Sequence, residues 1–253
     1  MLEENISIIS LAQLKDNYSY LVSKNKKVII IDPAESTQII QYIKNKQLNL
    51  IAILLTHHHL DHTAGVKKIL DNFSIPVYSS NLDIGHTTNV IKDGDLIDLD
   101  FIKMEVIKTP GHTSDHIVFY NKANHILFSG DALFRLGCGR VFEGTNKQMF
   151  ETLKKINFLD SKTMVYCGHE YTNANLDFLI SIFPNHKDLI SEQKKIENQI
   201  AKTDKSIPFN LGREKMINPF LSTKSEIYRI FKNENNFSDI EMFSYLRDLK
   251  NKF

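Results

Sequence analysis

The sequence predicts a mixed α/β body followed by a helical C-terminal segment. Two observations support this: short strand-like runs alternate with helical runs over the first two thirds of the chain, and the pattern becomes helical after residue 172. With 253 residues, the chain is near the upper end of what one hydrophobic core supports. Apolar residues form 42% of it and charged residues 24%, which permits a large core and excludes a disordered or collagen-like chain.

The first half of the body contains several strand patterns and one helix pattern. The strand-like runs are rich in β-branched or aromatic residues and end at Lys, Asn or Asp-Pro; they are Ile6–Ser10, Tyr18–Ser23 and Val28–Ile31. Ile39, Ile40 and Ile43 then recur at helical spacing. Ile51–Leu55 is apolar throughout, which predicts a strand buried on both faces.

The second half of the body continues with strands. A turn signal at Asp93-Gly94 precedes an alternating run, in which the apolar residues are Ile102, Met104 and Val106. Three further strands are predicted, at Ile117–Tyr120, Ile126–Ser129 and Met164–Cys167.

Two capping-box patterns predict where helices begin. Thr145 with Gln148 starts a helix whose apolar face is Met149, Phe150, Leu153 and Ile156. Ser238 with Glu241 starts a last helix that runs almost to Phe253. Since Leu189, Ile196 and Ile200 also fall on a helical stripe, the segment after residue 172 is expected to be entirely helical.

Charge and cysteine content restrict the classes of partner and compartment. Lys and Arg number 31 and Asp and Glu 30, a net charge of +1 that argues against a nucleic-acid or anionic-membrane binder. Cys138 and Cys167 form no CxxC pair and no disulfide framework, so a reducing compartment, the cytoplasm, is expected. The N-terminal MLEENISIIS carries acids where a signal peptide carries Lys or Arg, and no apolar run is long enough to span a bilayer.

The most informative feature is a group of potential metal ligands directly after the apolar strand. Alternate residues of an extended segment share a face, so His57 and His59 can converge on one point, while His58 is expected to point away. Asp61 and His62 follow as the chain turns into the next helix, and they offer a second pair of ligands.

Three more strands end in a His or an Asp. His112 follows the strand through Val106, Asp131 follows Ile126–Ser129, and His169 follows Met164–Cys167. Together with the first group, these residues supply five His and two Asp, enough for two metal ions that share one carboxylate. Such ligands accept Zn, Fe and Mn.

These residues resemble a known family. The HxHxDH pattern at 57–62, with His112, Asp131 and His169 downstream, looks like that of the metallo-β-lactamase-fold hydrolases. The closer resemblance is to glyoxalase II, the hydroxyacylglutathione hydrolases, and it covers the whole chain. Its motifs are GCGRVFEGT at 137–145, GHEYTN at 168–173, NPFL at 218–221 and RDLKNKF at 247–253.

The resemblance implies a fold and a set of site residues. The fold would be an αββα sandwich over residues 1–172 with a helical glutathione-binding domain over residues 173–253. Two divalent ions, with Zn expected first and Fe or Mn open, would be bound by His57, His59 and His112, and by Asp61, His62 and His169, with Asp131 bridging. The substrate contacts would be Arg140, Phe142, Tyr171, Arg247 and Lys250.

The implied reaction is hydrolysis of S-(R)-lactoylglutathione to glutathione and D-lactate, the second step of methylglyoxal detoxification, by a monomer. Asp61 and Asp131 would orient the attacking hydroxide. The leaving thiolate has an unperturbed pKa of about 8.5, so no separate strong acid is needed.

Four positions depart from the family pattern, none of them a ligand. Phe142 stands where some members have Tyr, Leu60 where many have an aromatic residue, Asn251 where an Asp is usual, and Ala64 where the first Gly of a pair is usual. These changes bear on substrate affinity more than on metal binding.

Three other functions were weighed. A glutathione persulfide dioxygenase of the same fold uses one iron, whereas the second-metal set Asp61, His62 and His169 is complete here. A non-catalytic, metal-stabilised interaction protein would usually lack a ligand, and all seven are present. A nuclease of this fold is disfavoured by the near-neutral charge and the missing RNA-binding insertion.

Overall fold

The computed structural model describes residues 5–253. The first four residues, part of the acidic N-terminal segment considered above, lie outside the described residues. Two compact units are formed: the first takes in the chain up to Lys108 and Asp115–Ala123, and the second Thr109–Ser114 and Asn124–Phe253. The functional boundary expected at residue 172 is a different division and stays a prediction. No helix within residues 5–253 combines the length and the apolar character needed to cross a bilayer.

A six-stranded sheet organises the first unit. Its strands are β1 (Ser7–Gln13), β2 (Asn17–Lys24), β3 (Lys27–Ile31), β4 (Asn49–Leu54), β5 (Val77–Ser79) and β6 (Asn89–Val90). They lie in chain order, with β2 antiparallel to both β1 and β3 and the later pairs parallel. Residues 52–55 are fully buried because β4 has a neighbour on each side and packed residues on its faces, as the apolar run predicted.

The rest of the first unit consists of short helices and three antiparallel strands. The helices are α1 (Thr37–Asn45), α2 (Leu60–Thr63) and α3 (Val66–Leu70). The strands are β7 (Leu96–Asp98), β8 (Lys103–Lys108) and β9 (Ile117–Asn121). The predicted alternation in β8 is confirmed, since Met104 and Val106 are buried while Lys103 is exposed.

The second unit contains three paired strands and a separate hairpin. Strand β10 (Ile126–Gly130) is parallel to β13 (Met164–Cys167), which pairs antiparallel with β14 (Phe209–Asn210). The hairpin joins β11 (Leu133–Phe134) to β12 (Gly137–Cys138). The expectation of an entirely helical C-terminal segment is therefore wrong at β14. Pro208 cannot donate the backbone hydrogen bond that a helix needs, and the extended residues after it pair with β13.

Six helices complete the second unit as far as it is described. They are α4 (Asn146–Asn157), α5 (Thr172–Ile182), α6 (Lys187–Thr203), α7 (Leu211–Ile217), α8 (Glu226–Asn235) and α9 (Asp239–Lys252). Both predicted capping boxes are formed, by Thr145 with Gln148 and by Ser238 with Glu241. The apolar face predicted for α4 is buried.

Candidate metal centre

In the first unit, the loop after β4 and helix α2 carry the first ligand cluster, which is His57, His59, Asp61 and His62. The ring centroid of His57 lies 4.7 Å from that of His59 and 4.2 Å from that of His62. His62 Nε2 lies 3.8 Å from Asp61 Oδ2. His57 and His62 are buried, and His59 and Asp61 are half-buried. The cluster is thus compact, as the alternation and the turn into a helix predicted.

Asp32, the first residue after β3, orients two histidines of this cluster. Asp32 Oδ2 lies 3.1 Å from His62 Nδ1 and accepts a hydrogen bond of 2.7 Å from Thr56 Oγ1. Thr56 Oγ1 in turn lies 3.0 Å from His57 Nδ1. Because a protein oxygen engages Nδ1 of both rings, Nε2 is the nitrogen available to a metal.

The role of Asp32 could not be predicted from the sequence, where Asp32-Pro33 indicates only the end of a strand. The backbone of Asp32 has φ +48°, in the left-handed region that non-glycine residues rarely adopt. Its buried carboxylate also accepts the backbone N–H of Thr56 at 2.8 Å. No spacing rule finds this residue, because 24 positions separate it from Thr56.

The two other histidines of this region have different surroundings. His58 Nδ1 lies 2.9 Å from Asp115 Oδ2, and its ring centroid is 6.5 Å from that of His57. His116 is buried and stacks on His57, with ring centroids 5.0 Å apart. His116 therefore packs against a predicted ligand ring and helps to fix its orientation.

In the second unit, three separate loops supply the second ligand cluster, which is His112, Asp131 and His169. Asp131 Oδ2 lies 3.3 Å from His112 Nε2 and 3.3 Å from His169 Nε2. His112 Nδ1 lies 2.8 Å from the carbonyl oxygen of Arg140, which again makes Nε2 the coordinating nitrogen. One buried carboxylate oxygen is thus equidistant from two imidazole nitrogens, and the bridging role of Asp131 stays a prediction.

Three predicted substrate residues lie beside the second ligand cluster. The Phe142 ring, 59% exposed, meets the His112 ring edge to face at 5.2 Å. The Arg140 guanidinium lies 5.4 Å from the centre of the Phe142 ring. Tyr171 stacks on His169 with ring centroids 4.7 Å apart.

The two predicted residues on α9 are more enclosed. Arg247 is 5% exposed; its Nη1 donates to the carbonyl oxygen of Cys138 at 2.9 Å, and its Nε to Asn251 Oδ1 at 3.1 Å. Lys250 Nζ donates to the carbonyl oxygen of Ala174 at 2.6 Å. The pKa of Lys250 is lowered to about 8, chiefly by burial and also by the Arg247 charge, while Asp177 opposes the shift. Contact of either residue with a substrate anion stays a prediction.

Comparison with known proteins identifies the family. Residues 14–169 match the metallo-beta-lactamase superfamily, and residues 170–253 match the hydroxyacylglutathione hydrolase C-terminus. The chain belongs to the hydroxyacylglutathione hydrolase family. It is 39% identical to the hydroxyacylglutathione hydrolase of Klebsiella pneumoniae, over 98% of this chain and 100% of that protein. Identity to the protein of that name from Pectobacterium atrosepticum is 40%, with the same coverage.

Solved structures confirm the predicted fold. The BLEG-1 B3 metallo-beta-lactamase aligns with a TM-score of 0.64 and 24% identity, over 86% of this chain and 99% of that chain. ETHE1 from Myxococcus xanthus aligns with a TM-score of 0.65 and 22% identity, over 94% of this chain and 95% of that chain. TTHA1623, solved in a di-iron-bound form, is 28% identical, with a TM-score of 0.55 over 64% of this chain and 91% of that chain.

The donor set of this hydroxyacylglutathione hydrolase family member fits divalent metal ions. Imidazole and carboxylate are ligands of Zn, Mn and Fe. Asp32 fixes the ring of His62 directly and, through Thr56, that of His57, while the Arg140 carbonyl fixes that of His112. Partners of this kind orient metal-binding histidines. The two ligand clusters therefore have the chemistry of metal sites.

Two departures from the family pattern have a simple structural outcome. Ala64 is exposed, so a side chain there meets no obstacle. The next residue must be glycine, because a Cβ at Gly65 would lie 2.7 Å from the Pro33 carbonyl oxygen. Leu60 is 77% exposed and carries no packing of its own.

Proposed function

We propose that this chain is a glyoxalase II enzyme that hydrolyses S-(R)-lactoylglutathione, or another 2-hydroxyacyl-glutathione, to glutathione and the 2-hydroxy acid. The observation that carries the proposal is the similarity to hydroxyacylglutathione hydrolases over 98% of the chain, the C-terminal helices included. D-lactate would be the product from the lactoyl substrate.

Two divalent ions, Zn first among the candidates, are proposed to bind the seven ligands. His57, His59 and His112 would hold one ion, Asp61, His62 and His169 the other, and Asp131 would bridge. When bound, such a pair supplies a water of lowered pKa and polarises a carbonyl oxygen. The support lies within each unit: the first cluster is compact, and one Asp131 oxygen is equidistant from His112 Nε2 and His169 Nε2.

The carboxylates of Asp61 and Asp131 are proposed to orient the attacking water. Asn17 Nδ2 donates to Asp61 Oδ2 at 2.9 Å and to its carbonyl oxygen at 3.0 Å, which fixes the Asp61 side chain. The leaving thiolate has an ordinary pKa of about 8.5, so the chain needs no dedicated acid to release it.

Recognition of glutathione is proposed for residues of the second unit. Arg140, Phe142 and Tyr171 lie next to His112 and His169, where the thioester end would bind. Arg247 and Lys250 would bind the glycine carboxylate. An anion beside Lys250 would favour its protonated form and so oppose the effect of burial.

The remaining expectations are carried forward as proposals. Both cysteines are buried thiols, which suits a reducing, cytoplasmic setting. The enzyme is proposed to act as a monomer without nucleic acid or membrane partners. Residues 1–172 are proposed to bind the metals and residues 173–253 to form the glutathione-binding domain.

The test is loss of thioester absorbance with S-lactoylglutathione as substrate. The metal-loaded protein should hydrolyse it, His59→Ala should be inactive, and chelation followed by metal replacement should remove and restore activity. No turnover by the metal-loaded protein would refute the substrate assignment, and full activity of the metal-free protein would refute the metal assignment. Oxygen uptake with glutathione persulfide would instead favour the dioxygenase.

A further inference from the structure

The β11–β12 hairpin is held by side chains from the C-terminal helical segment. A backbone group of each residue from 134 to 138 forms a hydrogen bond with a polar side chain from α5, α7, α9 or the residue after α7. Asn218 Nδ2 donates to the carbonyl oxygens of Phe134 at 3.4 Å and Gly137 at 3.1 Å. Asn175 Nδ2 donates to the carbonyl oxygen of Arg135 at 3.0 Å, and Arg247 Nη1 donates to that of Cys138 at 2.9 Å. The backbone N–H of Leu136 donates to Glu214 Oε2 at 2.8 Å. Five consecutive residues of the hairpin are thus fixed from outside.

This hairpin connects two predicted site residues. Asp131 precedes it, and Arg140 follows it by two positions. The backbone packs so closely that a Cβ at Gly139 would lie 1.9 Å from the Asp131 carbonyl oxygen. Any shift of the hairpin therefore moves Gly139 and the Arg140 next to it.

The hairpin needs external support because its turn is strained. Leu136 has φ +60°, a left-handed conformation that is unfavourable for a residue with a Cβ. Its N–H is the group that Glu214 binds. Glu214 is 1% exposed and also accepts from Asn218 Nδ2 at 2.9 Å, so one carboxylate oxygen holds both the turn and the amide that spans the hairpin.

We propose that Glu214 is a positioning residue for substrate binding, because its carboxylate, with Asn218, fixes the hairpin that sets the place of Arg140. This inference rests on the function proposed above, in which Arg140 contacts the glutathione thioester. Glu214 would not touch the substrate itself. It would act only through the backbone of residues 134–140.

The surroundings of Glu214 predict a pH dependence of this effect. Burial raises the pKa of Glu214 to about 7, against the lowering influence of the Leu136 N–H, the Asn218 amide and the Arg135 charge, and Glu192 adds to the rise. Above that pKa the ionised carboxylate accepts a charge-assisted hydrogen bond, and protonation weakens it. The hydrogen bond from the Leu136 N–H to Glu214, which holds the hairpin, should therefore weaken below pH 7.

The experiment compares the metal-loaded wild type with Glu214→Gln in steady-state hydrolysis of S-lactoylglutathione between pH 6 and 8.5. We expect Glu214→Gln to raise KM about fivefold at pH 8, the equivalent of one hydrogen bond, with kcat within about twofold. The wild-type KM should rise as the pH falls through 7, and the KM of the variant should not. Lys250 cannot cause that rise, because protonation of a lysine strengthens the binding of an anion.

Tyr228→Phe is the matched control. Its hydroxyl donates to the Asp239 carbonyl oxygen at 2.9 Å, within the same C-terminal segment but away from the hairpin. The control should lose stability and keep the wild-type KM and pH profile. If Tyr228→Phe raises KM as much as Glu214→Gln, a general loss of stability explains the effect and the proposal fails.

Hydrogen–deuterium exchange supplies a readout that is independent of turnover. Amides of residues 133–140 should exchange faster in Glu214→Gln than in the wild type, and no faster in Tyr228→Phe. If the wild type does not hydrolyse the thioester, the proposed function fails while the exchange data still test the grip on the hairpin. An active wild type with unchanged KM and unchanged exchange in Glu214→Gln would overturn the inference. If Glu214→Gln does not fold, Glu214→Asp replaces it, because Asp keeps the charge but has a shorter side chain. Glu214→Asp should show the same raised KM, and a wild-type KM in this variant would also overturn the inference.

Discussion

The two units hold their predicted ligands by different means. The first ligand cluster lies within six consecutive residues, and one carboxylate, that of Asp32, fixes two of its rings. The second takes one residue from each of three loops, and its supports are a backbone carbonyl and a hairpin held by distant helices. In the contiguous cluster one carboxylate thus orients two rings, whereas the dispersed cluster depends on tertiary structure around its loops.

The largest effect is expected from the residue that links the members of the second cluster. Asp131→Ala removes the carboxylate oxygen that lies 3.3 Å from both His112 Nε2 and His169 Nε2. If Asp131 bridges two ions, several kcal/mol of transition-state stabilisation are lost, and kcat/KM should fall about 10³-fold or more. The measurement is thioester hydrolysis together with metal content per chain. Asp98→Ala, at an exposed carboxylate paired with Lys103, should leave both unchanged.

A smaller effect is expected where one carboxylate serves the first cluster. Asp32→Asn should lower metal affinity or activity about 10- to 100-fold, the range seen when a partner of a ligating histidine is lost. Asn tolerates the left-handed backbone at this position, so the change tests the carboxylate rather than the fold. Metal affinity is read by competition with a chelator.

Asp115→Asn is the matched variant for this test. Asp115 contacts His58 Nδ1 at 2.9 Å much as Asp32 contacts His62, but His58 is not a predicted ligand. Its metal affinity should equal that of the wild type. Equal losses in the two variants would show that His58 takes part in the first cluster and would contradict its exclusion.

This contrast also explains what could be predicted from the sequence. The first cluster could be predicted because its residues are adjacent and follow a buried strand. Both capped helices could be predicted because each capping box spans only four residues. The fold class and family followed from motifs of the same local kind. The roles of Asp32, Glu214 and Asn218 could not be predicted, because they arise from contacts between residues 24 to 84 positions apart. The strand β14 was missed because two residues carry no periodicity.

The support of the second cluster should appear in the pH dependence of stability. The pKa of Glu214 is raised from 4.5 to about 7 by burial, so the folded state binds a proton more tightly than the unfolded state. This contribution to stability is largest at acid pH and is lost as the pH rises through 7. Between pH 5.5 and 8, the free energy of unfolding should fall by about 2 kcal/mol more in the wild type than in Glu214→Gln. Urea denaturation at the two pH values measures it, and parallel pH profiles would contradict the assignment.

The smallest effect is expected from a change at the start of α4, which should lower stability in the second unit without moving a ligand. Helix α4 packs closely on the loop that carries His112, since a Cβ at Gly111 would lie 2.8 Å from Met149 Cβ. Thr145→Ala removes the capping hydroxyl and should lower the free energy of unfolding by about 1 kcal/mol.

Metal affinity of Thr145→Ala should not change, because the Arg140 carbonyl oxygen, 2.8 Å from His112 Nδ1, fixes that ring locally. Ser36→Ala is the control in the first unit, since Ser36 precedes α1 without a side-chain capping bond, and it should change stability by less than about 0.5 kcal/mol. Urea denaturation and chelator competition measure the two quantities. A parallel loss of metal affinity in Thr145→Ala would mean that His112 depends on α4 as well as on Arg140, and that the support of the second cluster extends further than its own hydrogen bonds.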